Sequence, residues 1–224
     1  MYAVTQTTFT TPRGRSVTMN YRQDSSDWNT LSSCLTEDEY RLAELNLTGT
    51  ALDIGAHIGG ATVALAMDNP ELHVVAVEAV PPNVDLLREN VARNGLSERV
   101  TVIHAAAGKG KTATIRWAFA GNESADHHAF IGNSLLPGPA THLSEKVKVR
   151  TLASLAREFG PFCFAKVDCE GCEFPFLAGP GLKDVSLLRG EVHADPAPLQ
   201  NQLIATHTVS MPDAIPGAFE AVAR

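Results

Sequence analysis

The sequence predicts an α/β fold, a doubly wound and mostly parallel sheet with helices on both faces. Three observations predict it. Short apolar runs alternate with helix-period stretches from residue 50 to residue 205, the pattern of consecutive βαβ units. One unit, Thr50 to Met67, passes from an apolar strand through Gly55, Ala56, Gly59 and Gly60 into a helix. A small-residue turn between strand and helix is how a nucleotide-type site begins. Carboxylates stand where strands end, at Asp53, Glu78 and Asp168, and ligands of such sheets bind beyond the strands' carboxyl ends.

The elements follow in order. Thr7 to Thr10 and Ser16 to Tyr21 are β-rich, and Pro12-Arg-Gly14 between them marks a hairpin turn. Asp24 to Asn29 reads as a polar loop. Thr36-Glu-Asp-Glu39 matches a capping box that opens a helix through about Asn46. Strand 50–54 and helix 59–68 follow, ended by Asp68-Asn-Pro70. Strand 73–78 leads to Pro81-Pro82, placed to start a helix. Val84, Leu87, Val91 and Ala92 give that helix one apolar face, and Asn94-Gly95 stops it. Strand 100–105 ends in Ala105-Ala-Ala-Gly108. Residues 111–118 and 146–150 alternate, so 111–150 reads as a two-stranded insertion. Between them, Phe119 to Glu145 is an irregular stretch that includes His127, His128 and His142. Irregular loops of this length are functional or disordered, and the expectation is a cover over an acceptor pocket. Helix 151–159, strand 162–167, a helix from Phe174, strand 185–193, helix 198–205 and an antiparallel pair at Val209 and Phe219 to Val222 complete the chain. Residues 1–35 are expected to pack on a main domain, 36–224.

At 224 residues and 44% hydrophobic composition, the chain suffices for one full core. No apolar run reaches the ~20 residues of a membrane span. The first residues lack a basic stretch followed by an apolar one, so the expected location is cytoplasmic. The net charge of −7, without a long Lys/Arg run, argues against nucleic acid as substrate, because phosphate neutralisation dominates such binding. The cysteines are Cys34, Cys163, Cys169 and Cys172. Cys169 and Cys172 make a Cys-x-x-Cys, readable as a redox pair or as half a zinc site with Cys163 and His193. The expectation is that they pack as small apolar side chains.

The small-residue turn discriminates among ligands. No Lys follows Gly60, which excludes a P-loop, and His57 breaks the dinucleotide fingerprint Gly-x-Gly-x-x-Gly. Glu78, at the tip of the second strand, suits the two ribose hydroxyls of an adenosine. Asp53 is placed to face the amino group of a zwitterionic tail. S-adenosylmethionine (SAM) meets these conditions without needing a phosphate site.

Four stretches, Leu52-Asp-Ile-Gly-Ala-His-Ile-Gly59, Val77-Glu-Ala-Val-Pro-Pro-Asn83, Ala105-Ala-Ala-Gly108 and Lys166-Val-Asp-Cys-Glu-Gly-Cys-Glu173, carry a family resemblance. In order and spacing the chain resembles a class I SAM-dependent methyltransferase of the FkbM type over roughly residues 37–195. His57 stands where that family usually has Asn, and Gly60 where a larger residue is common. The resemblance implies a Rossmann-like, seven-stranded sheet of order 3-2-1-4-5-7-6. It implies cofactor contacts from Asp53, Gly55, Ala56, His57, Gly59, Glu78, Ala79, Asn83, Ala106, Ala107 and Asp168. It also implies methylation of a hydroxyl on a small molecule, such as a sugar, polyketide or other secondary metabolite.

For the chemistry, Asp168, Glu170 and His193 are the candidate catalytic residues. Two carboxylates close together raise one pKa toward the range of a general base, and His193 is a second candidate base. Asp168 and Glu170 share a face if the strand continues through them. Glu173 opens a helix, where the dipole favours its charge, and Lys166 is placed to pair with the acids. Glu37 and Tyr40 border the cofactor but read as surface and packing residues. No metal ligands are assigned, although a divalent ion on the paired carboxylates and His193 is an alternative way to acidify a hydroxyl. Other readings are an adenine-dinucleotide oxidoreductase and a SAM-binding protein without catalysis. Oligomeric state is not legible.

Overall fold

The computed structural model describes residues 3–23, 25–117, 143–193, 195–211 and 217–224. It opens with an antiparallel hairpin, β1 (Val4–Thr10) and β2 (Ser16–Arg22), followed by helix α1 (Asp27–Leu35). Then come β3 (Gly49–Ile54), α2 (Gly60–Asp68), β4 (Leu72–Glu78), α3 (Pro81–Arg93) and β5 (Val100–His104). Strands β6 (Ala106–Ala107), β7 (Thr112–Trp117) and β8 (Leu143–Arg150) make a side sheet. The chain continues through α4 (Leu152–Phe159), β9 (Phe164–Val167), α5 (Glu173–Leu177), β10 (Leu187–Glu191), α6 (Ala197–Leu203), β11 (His207–Ser210) and β12 (Ala218–Ala223).

The main sheet has seven strands in the order β5-β4-β3-β9-β10-β12-β11. β5 through β10 are parallel, and β12 pairs antiparallel with both β10 and β11. This is the predicted doubly wound topology and strand order. The central strands are buried on both faces, with Leu52, Ile54, Val75 and Ala165 fully shielded, as a sheet covered by helices requires. The topology brings the tips of β4, β3, β9 and β10 side by side along one edge.

The structure corrects the expectation for residues 24–46. The helix is α1, over 27–35, and Thr36 to Glu39 follows it as a turn. Leu31, Cys34 and Leu35 recur at helical spacing and are buried against the core, which decides the helix in spite of its polar start. Asp38 adopts the left-handed conformation, φ 54°. Its carboxylate accepts from the backbone N–H groups of Leu42 and Ala43 at 2.5 and 3.1 Å. The acids read as a capping box therefore organise a short 3₁₀ turn, Leu42–Glu44. Residues 118–142, where the sequence places most of the irregular cover with His127, His128 and His142, lie outside the described residues.

The hairpin and α1 are tied to the core by a buried ion pair. Arg22 donates Nε and Nη2 to the two carboxylate oxygens of Asp27, each at 2.8 Å, and Nη2 also reaches Asn83 Oδ1 at 2.7 Å. Arg22 and Asp27 are both buried. Burial opposes the charge of Asp27, yet the Arg22 bonds and the nearby His57 hold its pKa below the ordinary carboxylate value. Removing one partner strands the other charge in the interior, at a cost of about 3–5 kcal/mol. Arg22→Ala is therefore expected to lower unfolding free energy by about that amount in urea denaturation. A loss well under 1 kcal/mol would show that the pair does not fasten the hairpin.

Candidate active site

The site is built on the turn after β3. Gly55 has φ 75°, and a Cβ placed there would lie 1.8 Å from the backbone oxygen of Asp168. The turn after β3 and the turn after β9 thus touch backbone to backbone, which only glycine permits. The N–H groups of Gly55 and Ala56 both donate to Val77 O, and that of His57 donates to Glu78 Oε2 at 2.9 Å. Glu78 Oε1 accepts from Val80 N at 2.8 Å. The acid at the tip of β4 therefore holds the turn after β3 and the start of α3 together.

Below this turn lies a buried cation. Lys166 and Asp53 are register partners on β9 and β3, with Nζ 3.4 Å from Asp53 Oδ1. The same ammonium donates to Gly55 O at 2.8 Å, lies 3.8 Å from Asp168 Oδ2 and sits 5.3 Å from the centre of the Tyr40 ring. Burial disfavours its charge, but Asp53 and Asp168 outweigh burial and raise its pKa above the ordinary lysine value. The Tyr40 hydroxyl donates to Asp168 Oδ2 at 2.7 Å, and burial with the Asp168 charge keeps that hydroxyl protonated.

Two pockets meet at Gly55. A narrow one, about 30 Å³, is lined by Glu78, Ala79, Ala105, Ala106, Ala107, Ile115 and the two cysteines Cys169 and Cys172. A wider cleft, about 290 Å³, runs under α1. Its walls include Asn29, Ser33 and Cys34 on one side and Ala56, His57, Asp168, Glu170 and Glu191 on the other. Gly60 makes the approach of α1 feasible, since a Cβ there would sit 3.0 Å from Cys34 Cβ.

Most expected cofactor residues line these pockets: Gly55, Ala56, His57, Glu78, Ala79, Ala106, Ala107 and Asp168. Three expected contacts are corrected. Asp53 is fully buried and accepts from the Thr62 hydroxyl at 2.6 Å, so it braces α2 and Lys166 from beneath the turn. Gly59 faces α3, where a Cβ would lie 2.7 Å from Leu87 Cδ1. Asn83 is buried and accepts from Arg22. Tyr40 does reach the site, whereas Glu37 is exposed and its neighbour Glu39 lines the cleft in its place. The run of acids at 168, 170 and 173 after Lys166 signals a site, but nothing in the sequence ties Glu39 or α1 to it.

The catalytic candidates converge through a turn, because β9 ends at Val167 and Glu170 is left-handed at φ 53°. The expected strand alternation through 170 is thereby replaced. A non-glycine residue held in this region costs about 1–3 kcal/mol and is concentrated at functional sites. His193, just beyond β10, has Nδ1 3.1 Å from Glu173 Oε1 and Nε2 3.6–3.7 Å from Glu170 and Asp168. Glu173 also accepts from the N–H groups of Cys169 and Gly171, so the expected helix-start role is joined by a direct one in the cluster. The Glu173 hydrogen bond, against the effect of burial and with Glu170 and Asp168 adding, raises the His193 pKa to about 9. Burial, partly offset by His193 and reinforced by Asp168, raises that of Glu170. Cys169 and Cys172 are joined in a disulfide with Cα atoms 5.5 Å apart, which corrects the expectation of independent apolar packing. Cys163 bonds to Thr50 O before β9 begins, at the strand end opposite the cluster, so it completes no zinc site with the pair.

The profile of the methyltransferase FkbM domain matches residues 53–214. The chain belongs to the FkbM family of class I SAM-dependent methyltransferases. No curated protein matches it. Among solved structures, the fold is similar to M. capricolum TrmK in complex with the cofactor product S-adenosyl-homocysteine. That likeness has TM-score 0.52 and 11% identity over 85% of this chain and 70% of that one. It is also similar to precorrin-6y C5,15-methyltransferase from Geobacter metallireducens, with TM-score 0.53 and 9% identity over 91% and 92% of the two chains. At these identities the likeness concerns the fold. The FkbM assignment rests on the profile match, whose span contains Asp53, Glu78, Asp168, Glu170 and His193.

A histidine whose pKa is raised on folding stabilises the fold in full below its unfolded value, about 6.5. That contribution disappears as pH rises through about 9. Urea denaturation of wild type and His193→Ala is expected to show a stability gap at about pH 6 that narrows by about pH 10. A gap that does not change with pH would refute the charged form of His193.

Proposed function

We propose that this FkbM-family enzyme transfers a methyl group from SAM to a hydroxyl oxygen of a small molecule. A sugar, polyketide or other secondary metabolite is the substrate class, and natural-product biosynthesis the setting. The observation that carries the reading is the meeting of the two pockets at Gly55, with Glu78 on one side and the Asp168–Glu170–His193 cluster on the other. When bound, the cofactor supplies an electrophilic methyl on a sulfonium.

The residues divide the work. Ala79, Ala106, Ala107 and Ile115 line the narrow pocket with small or apolar side chains, which suits the adenine. Glu78 accepts from the ribose hydroxyls; a carboxylate takes up to about four hydrogen bonds. The polar face of α1, with Asn29, Thr30 and Ser33, holds the methionine tail in the wider cleft. Asp168, Glu170, Glu191 and Glu39 make that cleft acidic, which favours a cationic sulfonium. Glu170 accepts the proton of the acceptor hydroxyl, because a pKa raised toward the working pH suits a general base. His193, charged at neutral pH, orients Glu170 and Asp168. Tyr40 and Lys166 fix the carboxylate of Asp168.

Asp168, Glu173 and His193 present ligand atoms within 4.8 Å of one another. A divalent ion there would have to displace the proton held on His193, and Glu173 is already committed to two backbone N–H groups and the imidazole. The donor set favours the metal-free form.

Glu78→Ala is expected to weaken S-adenosylhomocysteine binding by about ten- to a hundredfold in calorimetry, the equivalent of a lost charged hydrogen bond. NAD is expected not to bind. Unchanged affinity in a folded variant would refute the ribose assignment. Asp168→Asn and Glu170→Gln are expected to slow single-turnover methyl transfer by about 10²-fold or more while the cofactor product still binds. EDTA is expected to leave wild-type turnover unchanged. Near-wild-type rates in both variants would remove the acids from the chemistry.

A further inference from the structure

We propose that Cys169 and Cys172 are a redox-modification site that sets the width of the adenine-side pocket. In this reading the disulfide form binds the cofactor and the dithiol form binds it weakly. The proposal rests on the cofactor reading above. Both cysteines line the narrow pocket together with Ala105, Ala106 and Ala107. Cys172 is buried and immediately precedes α5, whose Phe176 and Leu177 lie in the core. Cys169 is only partly buried. Bonded sulfurs take less room than two thiols held at van der Waals separation. On reduction one sulfur must therefore move, and Cys172 is the one that packing fixes. The Cys169 thiol moves toward a pocket of about 30 Å³, where little displacement is needed to obstruct a flat ring.

The turn that Cys169 belongs to also carries Asp168 and Glu170, and Asp168 O touches Gly55. Reduction at this pair is thus felt by both pockets. Cys34 lines the wider cleft and Cys163 bonds to Thr50 O, so neither free thiol shares the narrow pocket.

The reaction is a thiol–disulfide exchange. A thiolate of a dithiol reductant attacks Cys169 Sγ, the Cys169–Cys172 bond breaks, and Cys172 leaves as a thiolate that takes up a proton. The reductant's second thiolate then attacks the mixed disulfide and releases Cys169, which is protonated in turn. Two electrons pass to the pair and the reductant ends as a disulfide. A disulfide oxidant such as oxidised glutathione reverses the sequence. The linkage is reciprocal: whatever factor the disulfide contributes to cofactor affinity, the cofactor contributes to disulfide formation.

The test uses the full chain, equilibrated with oxidised glutathione or with dithiothreitol. Alkylation after denaturation is expected to label two cysteines in the oxidised protein and all four in the reduced protein. Calorimetry is expected to show S-adenosylhomocysteine binding about tenfold weaker to the reduced form, within the usual range for coupled sites. Saturating S-adenosylhomocysteine should then lower the midpoint potential of the pair by about 30 mV, the two-electron equivalent of tenfold. Cys169→Ala is expected to bind with an affinity that ignores reductant, and Cys163→Ser to keep the response. Four labels in the oxidised protein, or equal affinity in two forms that differ in label count, would overturn the proposal alone. Binding in neither form would overturn the cofactor reading, and this proposal with it.

Discussion

The arrangement of the site depends on one buried ammonium. Lys166 is 4% exposed, and an isolated charge at that depth is prohibitive unless it is paired and hydrogen-bonded. Asp53 and Asp168 supply the opposite charge, and the carbonyls of Gly55 and Ile54 supply acceptors. Those groups belong to the ends of β3 and β9 and to the turns that follow them. Satisfying Lys166 therefore fixes two strand tips and two turns relative to each other. The Tyr40 ring, lying over the same ammonium, adds the segment after α1 to the group. The resulting assembly holds the carboxylate of Asp168 between the Tyr40 hydroxyl and the Lys166 ammonium.

A second buried charge pair performs the corresponding service for the opposite wall. Arg22 and Asp27 join the hairpin to the first turn of α1, and Asn83 and His57 join both to the strand-tip side of the cleft. The wider cleft exists because α1 is held over the turn while Gly60 keeps the contact close. Residues 1–52 precede the stretch matched by the family profile, yet they furnish Tyr40, Glu39 and one face of the cleft.

The acids near His193 form a graded set. Glu173 is buried and hydrogen-bonded, with a pKa kept low by His193 and by backbone N–H groups in spite of burial. Glu170 is half-exposed and shifted upward. Neighbouring carboxylates with environments that push their pKa values apart can take different roles: Glu173 anchors the imidazole of His193, and Glu170 is the more exposed acid with the raised pKa.

The sequence by itself determined the class of fold, the order of the parallel units and the identity of the strand-tip acids. These features are local: strand period, helix period, glycine at a left-handed turn and carboxylates at fixed offsets are all written in short windows. It was enough to put Glu78 and Asp168 at strand ends that line the two pockets and to pair Lys166 with its acids. Tertiary structure decided the rest. Whether 27–35 or 36–46 was helical depended on which apolar residues met α2, a contact between distant segments. Asp53 and Asn83 sit in the right motifs but face inward, because the side of a strand or helix that meets the core is set by what packs against it. Tyr40, Glu39 and the face of α1 enter the cleft across long sequence separations, and no local pattern encodes such a meeting. The disulfide between Cys169 and Cys172 spans a turn with left-handed Glu170 and Gly171, whose N–H groups at Cys169 and Gly171 donate to Glu173.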